Sequence, residues 1–177
     1  QDDILPISID KHILLMGDNE LHSGKGRGYV AGYDHTSFEE GLRNLFGKRL
    51  VVAENPSEDQ IKNADAVIYR LSKDAGEHED VPFEIGFDND ISTIADLNPN
   101  LIVVVSSCNG LPMPWLGEVK ALLWCYFLGQ ERGNALANVI SGRVNPSGKL
   151  PITLEKDFKD SQDPDFNHIG GRAYWNG

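Results

Sequence analysis

"NLIVVVSS", residues Asn100 to Ser107, is the stretch on which the fold turns. Leu101 to Val105 are apolar without a break. Three of these are valines, whose branched side chains suit a pleated surface better than a helix. A strand with one wet face alternates apolar and polar residues. An unbroken apolar run belongs to a strand covered on both faces, as in parallel sheets. "HILLMG" (12–17), "RLVVAE" (49–54), "DAVIYRLS" (65–72) and "ALLWCYF" (121–127) read the same way. "KLPITL" (149–154) reads as a last strand, at an edge because Pro151 has no N–H for a ladder.

Helical patterns separate these strands. In "TSFEEGLRNLFG" (36–47), Thr36 or Ser37 can cap a helix on which Phe38, Leu42 and Leu45 share a face. "SEDQIKNA" (57–64) is a short helix with Ser57 as cap and acids in its first turn. "DNDISTIADLN" (88–98) and "ERGNALANVISG" (131–142) are two more, the last stopping at Gly142. "MPWLGEVK" (113–120) is a brief helix or turn, with Trp115 read as core. Strand and helix alternate, so the expected fold is α/β: a three-layer α/β/α sandwich around a mostly parallel sheet of about six strands. One domain is expected over residues 1–177, with a core at about 10–155 and an irregular polar tail at 156–177. The chain begins at Gln1 without a basic and apolar leader, which reads as a trimmed mature protein or an expressed fragment.

Composition removes several function classes. The net charge is −11. Phosphate backbones are bound by an excess of Lys and Arg, so nucleic acid is not expected as a partner. Anionic membranes are disfavoured for the same reason. No apolar run is long enough to span a bilayer. Cys108 and Cys125 are too few for a disulfide framework or a zinc site of their own and read as free thiols.

In sheets of this kind ligands sit beyond the carboxyl ends of the strands. Three loops leave those ends directly, "SGKGRG" (23–28), "AGEHED" (75–80) and "SSCNGLPMPW" (106–115), and are expected to gather on one edge. Gly26 to Ala31 fits a G-x-G-x-x-A string, but the string starts well after the strand and does not open a helix, as a dinucleotide fingerprint requires. The loop then reads as a flexible surface segment or as the lining of a sugar or other polar site, with Arg27 and Tyr29 as contacts. The acidic loop has three readings. Glu77, His78, Glu79 and Asp80 could face a metal, although EF-hand and H-E-x-x-H spacings are absent. They could form a solvated turn. Or one carboxyl could act as a proton donor, its pKa raised by neighbouring acids and partial burial. Ser106, Ser107 and Cys108 lack a G-x-S-x-G setting for a nucleophile.

Four ordered segments carry a specific resemblance: "NPNLIVVV" (98–105), "NGLPMPW" (109–115), "GQERGNALANVISG" (129–142) and "NPSGKLPIT" (145–153). Together they resemble the C-terminal domain of glycoside hydrolase family 3, the β-glucosidase type. "GKGRGYVAGYDHTSFEEGL" (24–42) is similar to that domain's Gly-rich loop and following helix, and the resemblance covers roughly residues 10–160. It implies a six-stranded α/β sandwich and a retaining glycosidase using two carboxyls. It implies a nucleophilic Asp on a preceding barrel domain, which this chain does not contain. It implies a general acid/base Glu in a loop resembling Gly-Glu-Gly-Tyr-Asp-Arg. Glu77 falls on that Glu and Asp80 on the Asp, with Glu79 the alternative acid/base. His78 and Glu79 replace the small and aromatic residues, and Val81 stands where the motif has Arg.

The expected function is therefore the acid/base-bearing domain of an exo-acting β-glycosidase. Its substrate is an oligosaccharide or an aryl or alkyl β-glycoside, with Arg27, Tyr29, His78 and Asp80 as contacts. No cofactor and no metal are expected. The missing barrel is the partner, and the isolated chain is expected to be inactive, whether it is an excised domain or a stand-alone relative. Periplasmic or secreted location follows from the resemblance alone. The alternative is a non-catalytic sandwich module that binds carbohydrate or a protein partner.

Overall fold

The structure, a computed structural model, describes residues 4–76, 88–154 and 156. Its strands are β1 (Ile13–Gly17), β2 (Leu50–Val52), β3 (Ala66–Lys73), β4 (Leu101–Ser107) and β5 (Ala121–Trp124). The helices are α1 (Phe38–Phe46), α2 (Glu58–Asn63), α3 (Asp88–Leu97) and α4 (Arg132–Ile140). The sheet order is β2-β1-β3-β4-β5 and every neighbouring pair is parallel. Ile68 lies at the centre, in register with Leu15 on one side and Ile102 on the other.

The unbroken apolar strands split their side chains between two cores, as a period of two requires. Ile13, Leu15, Ile68, Ile102 and Val104 pack with Phe38, Leu42 and Phe46 of α1 and with Leu136 and Ile140 of α4. Leu14, Val67, Leu71, Val103 and Val105 pack on the opposite face with Ile61 of α2 and with Ile91 and Ile94 of α3. Trp115 is fully buried in this second core. The three-layer α/β sandwich expected from the sequence is thus present.

The helix starts follow the sequence closely. Ser37 caps α1: its hydroxyl accepts from Glu40 N–H at 3.1 Å, and the Glu40 carboxylate accepts from Ser37 N–H at 2.7 Å. Ser57 and Gln60 repeat this reciprocal arrangement on α2. Each such cap stabilises by about 1 kcal/mol. At the other end of the chain Gly142, at φ 73°, turns the backbone away from α4.

The sixth strand is not formed. Residues 149–154 carry no strand pairing, so the described sheet has five strands where about six were expected. Two causes are visible. Pro151 removes a ladder donor from the middle of the segment. Leu150 and Ile152 remain 49% exposed, so little apolar burial rewards pairing. The β5 segment is also shorter than its apolar run. Tyr126 adopts φ 49°, which ends the extended backbone two residues after Trp124.

Helices α1 and α4 cross at a contact only glycine permits. A Cβ on Gly41 would fall inside van der Waals distance of the Gly133 carbonyl, and one on Gly133 would meet the Ser37 carbonyl. An alanine in a helix normally gains about 1 kcal/mol over glycine. Here backbone overlap opposes it, at about 1–3 kcal/mol or more. Gly41→Ala and Gly133→Ala are therefore expected to lower the urea midpoint, and the double variant to lose less than the sum, because one separation of the helices relieves both overlaps.

Candidate functional site

The three loops that the sequence placed at one edge do meet there. Gly24, Lys25 and Gly28 follow β1, Ala75 and Gly76 follow β3, and Cys108 and Asn109 follow β4. With Phe127 they line one cavity of about 470 Å3. The Gly-rich loop and the β3 exit are pinned together by backbone and charge. Lys25 pairs with Gly76 as an isolated parallel bridge, and Lys25 N–H donates to the Ala75 carbonyl at 3.3 Å. The Lys25 ammonium lies 2.8 Å from the Asp74 carboxylate. The chain therefore leaves Gly76 at the wall of this cavity.

Glu77, His78, Glu79 and Asp80, the acidic loop singled out in the sequence, lie outside the described residues. Arg27 and Tyr29 are described. Arg27 sits in a single 3₁₀ turn, Gly26–Gly28, and Tyr29 closes it with its N–H on the Gly26 carbonyl at 3.1 Å. Both are exposed and flank the cavity-lining Gly28; Tyr29 is 57% exposed. The loop is shaped from within, since Val30 N–H donates to the Ser23 hydroxyl at 2.7 Å and that hydroxyl donates to the Gly28 carbonyl at 3.1 Å. This 3₁₀ turn ends ten residues before α1 starts, so the G-x-G-x-x-A string opens no helix and gives no dipole to a phosphate. Among the described residues no group of three or more His, Cys, Asp or Glu is placed to hold a metal.

A buried ion network lies beneath the loops. Glu20 takes Arg70 of β3 at 3.2 Å and Arg132 of α4 at 3.4 Å, and accepts the Phe38 N–H of α1 at 2.9 Å. The side chains of all three charged residues are nine-tenths buried or more. Arg132 also reaches His35 Nδ1 at 3.2 Å and the Gly129 carbonyl at 3.3 Å. The His35 ring lies 4.3 Å from that of His22. Burial, with His35 and Arg132 beside it, pushes the His22 pKa down. Sequence reading missed this network. Its one signal was Arg70, a cation within the otherwise apolar run "AVIY…L", which burial makes costly unless a counter-charge faces it.

Two more ionisable groups at this edge are displaced by burial. Lys73, 5% exposed, is pushed down and donates to the Gly110 carbonyl at 3.3 Å. Asp18, at the end of β1, is pushed up by burial, opposed by the Ser72 N–H and by Arg70. Cys108 is an exposed free thiol in the cavity wall, whereas burial raises Cys125 to about 12.

Comparison with known proteins places this geometry. The model of the glycosyl hydrolase family 3 C-terminal domain matches residues 1–176. The chain belongs to that family. Among curated relatives, a probable β-glucosidase I of Aspergillus oryzae is 47% identical over 85 residues, which are 48% of this chain and 10% of that protein. A β-glucosidase of Rhizobium radiobacter is 46% identical over 71 residues, 40% of this chain and 9% of that protein. The matched part thus spans about a tenth of these relatives' length. Among solved structures, β-glucosidase 3B of Thermotoga neapolitana superposes with a TM-score of 0.79 at 23% identity, over 93% of this chain and 31% of that one. A family 3 β-glucosidase of Bifidobacterium adolescentis gives 0.72 at 28% identity, over 92% and 27%. The family motifs act as scaffold here: "GQERGNAL" supplies the Gly133 crossing and Arg132, and "NGLPMPW" carries the cavity-lining Asn109 and the core Trp115.

Two outcomes are expected. Glu20→Ala leaves two buried guanidinium groups without their carboxylate and Phe38 N–H without its acceptor. It should cost about 3–5 kcal/mol in urea unfolding, with Glu20→Gln losing less. Asp18→Asn keeps an acceptor for Ser72 and removes a charge that burial disfavours. A carboxyl raised in the folded state adds stability below its unfolded pKa, and this is lost as pH rises through the folded value. Asp18→Asn should therefore unfold at a higher temperature than the parent chain at pH 7, and that advantage should shrink as pH falls below the ordinary carboxylate range.

Proposed function

We propose that this chain is the acid/base-bearing domain of a retaining, exo-acting β-glycosidase, with Glu77 as the general acid/base. The observation that carries this reading is the Lys25–Gly76 bridge. It fixes the residue before Glu77 at the wall of a cavity to which three strand-end loops contribute. Family membership supplies the chemistry, and relatives of this family are β-glucosidases.

In the proposed reaction a carboxylate on a preceding barrel domain attacks the anomeric carbon. The bond to the leaving oxygen breaks as that oxygen takes the Glu77 proton. Water then attacks the anomeric carbon of the glycosyl intermediate, the bond to the barrel carboxylate breaks and frees it, and the water's proton passes to the Glu77 carboxylate. The two carboxyls must lie about 5–5.5 Å apart across one sugar ring. Glu77 must be protonated at the start, which nearby acids promote by like-charge repulsion. Asp74 contributes little to that repulsion because Lys25 neutralises it. Tyr29 and Arg27, exposed beside the cavity-lining Gly28, are the proposed contacts to the leaving group, and His78 and Asp80 are proposed as further contacts. The chain alone lacks the nucleophile and is proposed to be inactive.

The test is release of nitrophenol from aryl β-glycosides by this chain, by the longer polypeptide carrying the barrel, and by that polypeptide with Glu77→Ala. The chain should be silent and the longer polypeptide active. Glu77→Ala should lower turnover about 10²–10⁴-fold, with partial rescue by azide. Full activity in Glu77→Ala sinks the assignment and moves it to Glu79. A silent longer polypeptide favours a non-catalytic carbohydrate- or partner-binding module.

A further inference from the structure

The Gly-rich loop begins and ends on a histidine, His22 and His35. Their half-buried rings meet edge to face with centroids 4.3 Å apart. Arg132 fixes the state of His35. A guanidinium can only donate, so the 3.2 Å contact from Arg132 makes His35 Nδ1 an acceptor. A carbonyl can only accept, so Nε2, 2.5 Å from the Ala31 carbonyl, carries the hydrogen. The two contacts together fit one form of the ring, the neutral Nε2–H tautomer. A proton added to Nδ1 sets an N–H against the Arg132 N–H.

His22 is a poor host for a proton too. Its Nε2 is buried with no hydrogen-bond partner among the described residues. Burial, then His35 and Arg132, hold its pKa down against the pull of the Val30 backbone. The charges around the pair come from several elements. Glu20 is one carboxylate shared by two guanidinium groups, Arg70 of β3 and Arg132 of α4, so this network already carries an excess positive charge. Tyr29, 6.1 Å from His22, brings no negative charge. Glu40 of α1 also feels Arg132, but its carboxylate is committed to the Ser37 N–H. Asp18 accepts the Ser72 N–H, and Asp34 beside His35 is exposed. A proton on either ring therefore adds to a positive cluster, and the close rings disfavour a second one.

The loop hangs on this pair. The His22 carbonyl accepts the Gly129 N–H at 3.2 Å, and the next residue, Ser23, ties Gly28 to Val30. Two residues further on is the Lys25–Gly76 bridge. Beyond His35 the chain is held separately, since Thr36 N–H donates to the Gln130 carbonyl at 2.8 Å. We propose that His22 and His35 form a proton-operated latch: with both rings neutral it holds the Gly-rich loop against Gly76, and protonation opens that loop while the sheet stays folded. A histidine held down in the folded state loses its favourable contribution as pH falls below the ordinary value of about 6.5, so opening sets in there. The latch uses neither Glu77 nor the barrel, so it stands or fails apart from the proposed catalysis.

The test is amide hydrogen exchange of the 177-residue chain at about pH 7.5 and about pH 5.5, read as protection factors so that the intrinsic pH dependence of exchange cancels. Protection at Lys25, Val30 and Gly129 should fall about 3–10-fold at the lower pH, with Ile68 and Val103 of the sheet unchanged. His22→Phe keeps a ring and His35→Asn keeps an acceptor for Arg132; each should flatten the pH dependence at the loop. Asp18→Asn, which removes the raised carboxyl at the same edge, should leave it intact. Four results overturn the latch: equal loop protection at both pH values, an equal fall in the sheet, a fall that survives in both histidine variants, or one that Asp18→Asn abolishes.

Discussion

One carboxylate organises the working edge of the sheet. Glu20 stands just past β1 and gathers Arg70 from β3, Arg132 from the start of α4, and the first N–H of α1. Burying a single ion costs several kcal/mol, and the mutual attraction offsets this only when the geometry is complete. The partners here come from every layer nearby: Gly17 and Gly129 carbonyls accept from the guanidinium groups, and His35 Nδ1 lies 3.2 Å from the same Arg132 nitrogen that reaches Gly129. If any partner moves, a charge is left dry. The entry to the Gly-rich loop is consequently fixed, and so is the approach of Lys25 to Gly76.

The same logic explains which parts could be read in advance. Apolar runs report burial directly, so the parallel sheet, its covering helices and the buried Trp115 were legible in "NLIVVVSS" and its counterparts. Ser37 and Ser57 were legible as caps because capping is settled within four residues. The gathering of three loops was legible because strand direction alone puts them on one edge. Pairing between distant charges has no such local signature: Glu20 and Arg132 are far apart in the chain, and only Arg70, set among apolar neighbours, hinted that a partner existed. The sixth strand was misread because "KLPITL" has strand-like composition, whereas its outcome depends on tertiary burial that Leu150 and Ile152 do not obtain.

Loop length divides scaffold from site. The β2–α2 connection runs only from Ala53 to Ser57, and Asn98 fixes the α3–β4 turn by donating to the Ile61 and Ala64 carbonyls. The β1–α1 connection instead runs from Asp18 to Ser37. Long connections are costly to order unless something outside the fold makes use of them. This long one leaves a strand that flanks the reversal in strand order, and it is tied down by Glu20 near its root and by the Lys25–Asp74 pair farther along. A rigid base with a long reach is the arrangement that presents side chains to something beyond the sheet edge.

Charge then separates the two cavities at that edge. Beside Gly76 the Asp74 carboxylate is answered by Lys25, and a cation, Lys73, lies buried at the same sheet edge. A second cavity, of about 630 Å3, is lined by Asp18 and Arg70; there the Arg70 charge is taken by Glu20 and the Asp18 carboxylate accepts the Ser72 N–H at 3.1 Å. The network at Glu20 links these environments: it consumes the charge of Arg70 in one wall, and by anchoring the start of the Gly-rich loop it helps bring Lys25 to the other.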